Sequence, residues 1–271
     1  MLFRSVDLSA GIGIACWPGD AEDAETLLSR SEIAMYAAKR QLSGALRYDP
    51  AFDLASAQTL SLLTELRRAV EHNELRLYLQ PKLALHGQPG LAAEALVRWQ
   101  HPQRGLVPPI EFIPFAEQTG FVRQLTLWIF EEVARWLASP PARHLPLRVS
   151  VNLSTRDLMD PELSTRFAGI LARHGVQASR FCLEITESAI MDEPQRAEAM
   201  LNRLSEQGFK LSIDDFGTGY SSLAYLRRLP VDELKIDKSF VMGMQAGEDD
   251  AMIVRSTIDL AHNLGLTVVA E

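Results

Sequence analysis

Cysteine is nearly missing: two residues, Cys16 and Cys182, in a chain of 271. Both lie in apolar, strand-like runs, which argues against a disulfide framework or a thiolate metal site. The expectation is reduced thiols in a cytoplasmic protein. The histidines, at 72, 86, 101, 144, 174 and 262, show no paired ligand spacing, so none is assigned to a metal. There is no Lys/Arg run, and 27 basic against 35 acidic residues leave a net charge of −8. Such a chain repels polyanions, which argues against a role in coating nucleic acid. A phosphate substrate would need bound cations to hold it. No apolar stretch nears the ~20 residues of a membrane span, and no signal peptide is visible. Membrane contact is expected only through regions upstream of this chain.

What is present is 47% hydrophobic residues and 23% charged ones, enough for a large core in one sizeable domain with a small companion. Met1-Leu2-Phe3-Arg4 runs straight into a strand, Val6 to Cys16, followed by a helix, Asp23 to Arg40. One strand and one helix make no core, so residues 1–48 are expected to be the tail of a domain lying upstream. Residues 49–57 are expected to be a linker, and the main domain covers 58–271. Leu60, Leu63, Leu66 and Val70 recur at helical spacing and lead into it.

From Leu75 onward short apolar runs alternate with helical stretches. The runs are Leu75–Leu79, Leu91–Trp99, Leu147–Leu153, Phe181–Thr186, Phe209–Asp214, Glu233–Asp237 and Leu266–Glu271. Helices are expected over Thr119–Leu137, Glu162–His174, Pro194–Gln207, Ser221–Arg228 and Asp249–Leu264. This alternation predicts an α/β fold with parallel strands. A (β/α) barrel of this kind closes with eight strands, typically over about 250 residues; seven strands are legible before the sequence stops.

The strands carry the chemistry on one face. Because side chains alternate, Ser150 and Asn152 oppose Val149 and Val151. Glu184 and Thr186 oppose Leu183 and Ile185, Ser212 and Asp214 oppose Leu211 and Ile213, and Lys235 and Asp237 oppose Leu234 and Ile236. Glu94 and Arg98 share a face. The apolar faces suit flanking helices, which leaves the polar faces to line the barrel interior. Glu94, Glu184, Asp214, Asp215 and Glu271 would then converge near the strands' C-terminal ends, where barrel active sites lie. Buried carboxylates need cations or partners, and these oxygens with the Asn152 amide suit Mg²⁺ or Mn²⁺. Taken singly, the signals are ambiguous. A lone strand-end carboxylate is commonly a cap or surface ion pair, and Lys235 alone reads equally as a structural ion pair or a catalytic cation. Gly217-Thr218-Gly219 reads more as a tight, mobile turn than as a phosphate cradle.

These motifs resemble the EAL domain family of cyclic di-GMP phosphodiesterases. Glu94-Ala95-Leu96 continues as Val97-Arg98-Trp99, and around it stand Gln80-Pro81, Val151-Asn152-Leu153-Ser154 and Glu184-Ile185-Thr186-Glu187. Downstream come the run from Asp214-Asp215-Phe216-Gly217 to Leu223, then Leu234-Lys235-Ile236-Asp237 and Val268-Val269-Ala270-Glu271. Gly11-Ile12-Gly13-Ile14-Ala15 and Ala34-Met35-Tyr36-Ala37-Ala38-Lys39 resemble the end of a GGDEF domain, whose signature itself is not in this chain.

The resemblance implies a TIM-like (β/α)8 barrel that hydrolyses cyclic di-GMP to linear pGpG using two Mg²⁺ or Mn²⁺ ions. Glu94, Asn152, Glu184 and Asp214 would bind one ion, and Asp214 with Asp215 the second. Lys235 would hold the attacking water and Glu271 would act as general base or metal partner. Arg98 would pair with a substrate phosphate, Gln80 and Asp237 would face the substrate, and Glu187 would brace the loop Phe216–Ser222. A homodimer through the EAL domains is expected. The family continues past Glu271 with another helix and an eighth strand, so the barrel is expected to be truncated before its last strand. The chain alone is then expected to be poorly folded and inactive. Two other readings stand beside the enzyme: a catalytically silent cyclic di-GMP receptor, and a metal-dependent lyase using Lys235 as base.

Overall fold

The computed structural model describes residues 11–41, 43–85, 90–217, 226–244 and 248–271. The chain divides into two units, 1–68 and 69–271.

In the first unit, β1 (Ile12–Ile14) and β2 (Ala45–Arg47) pair in parallel, with α1 (Ala24–Gln41) between them in sequence. The expected strand–helix pair is therefore a βαβ unit; β2 is too short to stand out in sequence. The part of the expected strand before residue 11 lies outside the described residues. Gly13 has a packing reason: a Cβ there would fall 1.9 Å from the Ser31 carbonyl, so α1 lies against the bare backbone of β1. Ala34 and Ala38 are the buried small residues of that helix. Residues 49–57, expected as a linker, form the first turns of α2 (Pro50–Glu71) apart from Asp49.

In the second unit the strands are β3 (Leu75–Lys82), β4 (Leu91–His101), β5 (Gly105–Val107), β6 (Leu147–Leu153), β7 (Phe181–Thr186), β8 (Lys210–Phe216), β9 (Glu233–Ile236) and β10 (Thr267–Ala270). They form one sheet in the order β10-β9-β8-β7-β6-β4-β3, with β5 against β4. The strands from β4 to β10 along this path are parallel. This is a TIM-like β/α barrel, open between β3 and β10 among the described residues. One expectation fails: β3 runs antiparallel to β4. Only residues 83–90 join the two strands, and a parallel crossover needs a dozen or more.

Helices α3 (Pro109–Thr119), α4 (Val122–Ala138), α5 (Thr155–Leu158), α6 (Leu163–His174), α7 (Glu187–Asp192), α8 (Pro194–Glu206), α9 (Lys238–Gly243) and α10 (Glu248–Asn263) follow the strands. The helix α3 was not expected. Its sequence holds Pro114, but Pro109 at its start needs no intrahelical N–H partner. The helix expected over Ser221–Arg228 lies largely outside the described residues.

The outward strand faces pack as the alternation requires. Along β4, Ala93, Ala95, Val97 and Trp99 are buried while Glu94, Leu96 and Arg98 are half-buried on the other face. Phe130 from α4 stacks on Phe167 from α6 with centroids 3.8 Å apart, and on Phe181 from β7 at 4.3 Å. This fully buried aromatic layer fixes the helices against the sheet. Both cysteines are free thiols, and burial pushes the Cys182 thiol up. Among the described residues no helix is long and apolar enough to cross a membrane.

Candidate active site

The inward strand faces bring the predicted carboxylates around one ammonium. Lys235, on β9 and 1% exposed, has its Nζ 2.8 Å from Glu184 Oε2, 2.9 Å from Asp214 Oδ2, 2.5 Å from Glu271 Oε1 and 3.6 Å from Glu94 Oε2. Asn152 Nδ2 donates to Glu94 Oε1 at 2.9 Å, so the amide from β6 joins the cluster through β4. Burial works against charge on Lys235, but Glu184, Asp214 and Glu94 outweigh it and raise its pKa. The same burial pushes the Asp214 carboxyl up to about 6, with Glu271 and Glu184 adding to the effect and Lys235 opposing it.

Consecutive residues of a regular strand point to opposite faces, yet the carboxylates of Asp214 and Asp215 lie close together here. The register between β8 and β9 shifts between Ile213 and Phe216, and Asp215 has φ 54°, the left-handed region. This bulge turns the second carboxylate back toward the first. Ligand oxygens of Asp214, Asp215 and Glu271 accordingly lie within 4.8 Å of one another. Burial, together with Asp237 and Glu271, raises the Asp215 carboxyl.

The donor set is hard oxygen throughout: carboxylates of Glu94, Glu184, Asp214, Asp215 and Glu271 and the Asn152 amide. That chemistry fits Mg²⁺ or Mn²⁺.

Glu187, buried at the start of α7, accepts from the Gly217 N–H through Oε2 at 3.2 Å. A Cβ on Gly217 would meet Phe240 at 3.2 Å, and its φ is +97°, so this turn tolerates little but glycine. The rest of the expected braced loop, residues 218–222, lies outside the described residues. Glu187→Ala, by removing a hydrogen bond of ~1.5 kcal/mol to a charged acceptor, is expected to lower turnover about tenfold. Glu187→Gln keeps a carbonyl for Gly217 and should lose less. Steady-state rates of the two variants check this, and equal losses would contradict the bracing role.

Of the other predicted residues, Asp237 shares a side-chain hydrogen bond with Asp215, while Arg98 and Gln80 stand beside the cluster on β4 and β3. Arg98 is on the Glu94 face, donates to the Val97 carbonyl at 3.0 Å and lies over the Tyr78 ring at 6.0 Å. Gln80 stands opposite Glu94 in register and is exposed. Asp237 caps α9, accepting from the Ser239 N–H at 2.9 Å, and hydrogen bonds from Ser239 lower its pKa.

One participant was missed. Lys82, from β3, donates to Glu184 Oε1 at 2.7 Å and to Glu233 Oε1 at 3.1 Å. Burial opposes ionisation of Glu184, but Lys235 and then Lys82 bring its pKa below the ordinary value. The only sequence signal was Lys82 itself, two residues past Gln80 on the same strand face; it became legible once β3 was known to run antiparallel.

A family model described as EAL domain matches residues 63–271. The chain is 40% identical over 273 residues to the bifunctional diguanylate cyclase/cyclic di-GMP phosphodiesterase MucR of Pseudomonas aeruginosa, covering 99% of this chain and 39% of that protein. It is 35% identical over 264 residues to the cyclic di-GMP phosphodiesterase PdeR of Escherichia coli, covering 97% of this chain and 40% of that protein. The chain thus spans well under half the length of these relatives. Among solved structures, the PaMucR phosphodiesterase in its c-di-GMP complex matches with a TM-score of 0.72 and 41% identity, over 78% of this chain and 85% of that one.

Proposed function

The chain belongs to the EAL domain family, and from that footing we propose that the protein whose barrel it forms hydrolyses cyclic di-GMP to linear pGpG at the carboxylate cluster around Lys235. The observation that carries the reading is the convergence of Glu94, Glu184, Asp214 and Glu271 on one buried ammonium at the C-terminal ends of the strands. The phosphodiesterase names of the relatives support the same substrate.

Glu94, Asn152, Glu184 and Asp214 would hold one Mg²⁺ or Mn²⁺, and Asp214 with Asp215 a second. Bound there, the cations would make water a stronger nucleophile and neutralise charge on the phosphate. Lys235 orients the attacking water and Glu271 takes its proton. Water oxygen bonds to phosphorus, one ester P–O bond breaks, and the leaving ribose oxygen takes up a proton. Arg98 pairs with a phosphate, while Gln80 and Asp237 contact the substrate from the rim. Residues 1–48 are the end of a GGDEF domain in this reading; the match to MucR, which extends across 99% of the chain, supports it. A cytoplasmic location and a homodimer through the EAL domain belong to the same proposal.

Exhaustive EDTA treatment is expected to abolish cyclic di-GMP turnover, with recovery on adding Mg²⁺ or Mn²⁺ and inhibition by Ca²⁺, whose longer and looser coordination misplaces the water. Chromatographic assay of product across these additions makes the test; turnover indifferent to EDTA would sink the proposal.

A further inference from the structure

We propose that Lys82 sets the metal preference of this site by restricting Glu184 to a single metal-facing oxygen. The inference rests on the divalent-cation reading above and adds a residue to it.

Glu184 is enclosed, its side chain 0% exposed, and its two oxygens have different lysines: Oε1 takes Lys82 at 2.7 Å and Oε2 takes Lys235 at 2.8 Å. Oε2 points into the cluster with Asp214, Glu94 and Glu271; Oε1 is held on the side of Lys82. Because β3 is antiparallel, Lys82 pairs with Ala92 and Gln80 with Glu94. Lys82 therefore approaches Glu184 from the layer below the Glu94 layer. Glu233 holds it there at 3.1 Å and offsets its charge. Burial opposes charge on Lys82, but Glu184 and Glu233 together raise its pKa.

Each carboxylate oxygen keeps a second lone pair beside its lysine; Oε2 lies on the cluster side and can offer its own to a cation, whereas turning Oε1 onto the same cation would break its bond to Lys82. Ca²⁺ collects six to eight oxygens and readily takes carboxylates bidentately, whereas Mg²⁺ demands compact octahedral geometry. The Lys82 contact therefore disfavours Ca²⁺ through geometry. Its electrostatic effect does not discriminate, because both ions carry the same charge and feel the field of Lys82 alike. The ratio of the two affinities consequently isolates the geometric role from charge and from general stability.

The test is calorimetric titration of the metal-free chain with Mg²⁺ and with Ca²⁺, no nucleotide present. Lys82→Met is expected to move the affinity ratio about tenfold toward Ca²⁺, the scale at which outer-shell partners act. Glu233→Gln, which leaves the Lys82–Glu184 contact in place, should not move it. Should Lys82→Met fold poorly, Lys82→Met/Glu233→Met replaces the buried ion pair with apolar groups of similar size, an exchange that is often neutral or stabilising, and the same shift is expected. An unchanged ratio in either folded Lys82 variant, or a ratio moved equally by Glu233→Gln, overturns the proposal. Cyclic di-GMP turnover is followed separately. Intact turnover with an unmoved ratio removes only the role of Lys82, metal binding without turnover removes only the phosphodiesterase reading, and no divalent binding at all removes both.

Discussion

Lys235→Ala is expected to lower cyclic di-GMP turnover at least ~100-fold, the size of loss seen when one preorganised transition-state contact is removed. Its Nζ is the shared partner of Glu184, Asp214, Glu94 and Glu271, whereas the neighbouring Lys82 is bonded to Glu184 and Glu233. The substitution also strips a cation from a buried carboxylate cluster. Breaking a buried pair from one side costs ~3–5 kcal/mol, and at ~2–4 °C per kcal/mol for a unit of this size the metal-free chain should melt roughly 10 °C lower. Mg²⁺ should recover much of that stability, since it supplies the missing positive charge, while turnover stays low. Melting curves with and without Mg²⁺, together with steady-state rates, check both halves. Near-normal turnover would contradict the assignment of Lys235.

Asp215→Asn is expected to cost a similar ~100-fold in turnover with a smaller effect on nucleotide binding. The substitution is a clean removal of charge. Asp215 sits at φ 54°, a conformation that asparagine tolerates better than most residues, so the bulge of β8 should survive. What is lost is one carboxylate of the Asp214–Asp215–Glu271 group, and with it the affinity for the second cation. Turnover and equilibrium binding of cyclic di-GMP in Ca²⁺ separate the two effects. Equal losses in binding and turnover would show that Asp215 holds the substrate instead.

Much of this site was legible because period-two alternation is a strong signal when one face is apolar. Ser150/Asn152, Glu184, Ser212/Asp214 and Lys235 fall on the inward faces of β6, β7, β8 and β9 as the alternation requires. Four features were not legible, each for a physical reason. The antiparallel course of β3 follows from the short 83–90 connection, and an all-parallel reading puts Lys82 at the wrong end of the barrel. The bulge that brings Asp215 beside Asp214 depends on a backbone conformation that aspartate only occasionally adopts. β2 and β5, at three residues each, are too short for any periodicity to show. The helical state of residues 50–57 was obscured by Pro50, which reads as a breaker but is well tolerated in the first turn of a helix.

The most direct test of the central claim is to incubate the purified protein, extended through the expected last helix and strand of the barrel, with cyclic di-GMP and Mg²⁺ and identify the product by chromatography and mass. The account predicts conversion to linear pGpG, lost in Lys235→Ala and Asp215→Asn. Tight binding of cyclic di-GMP by the folded chain with no linear product would contradict it and point to a receptor.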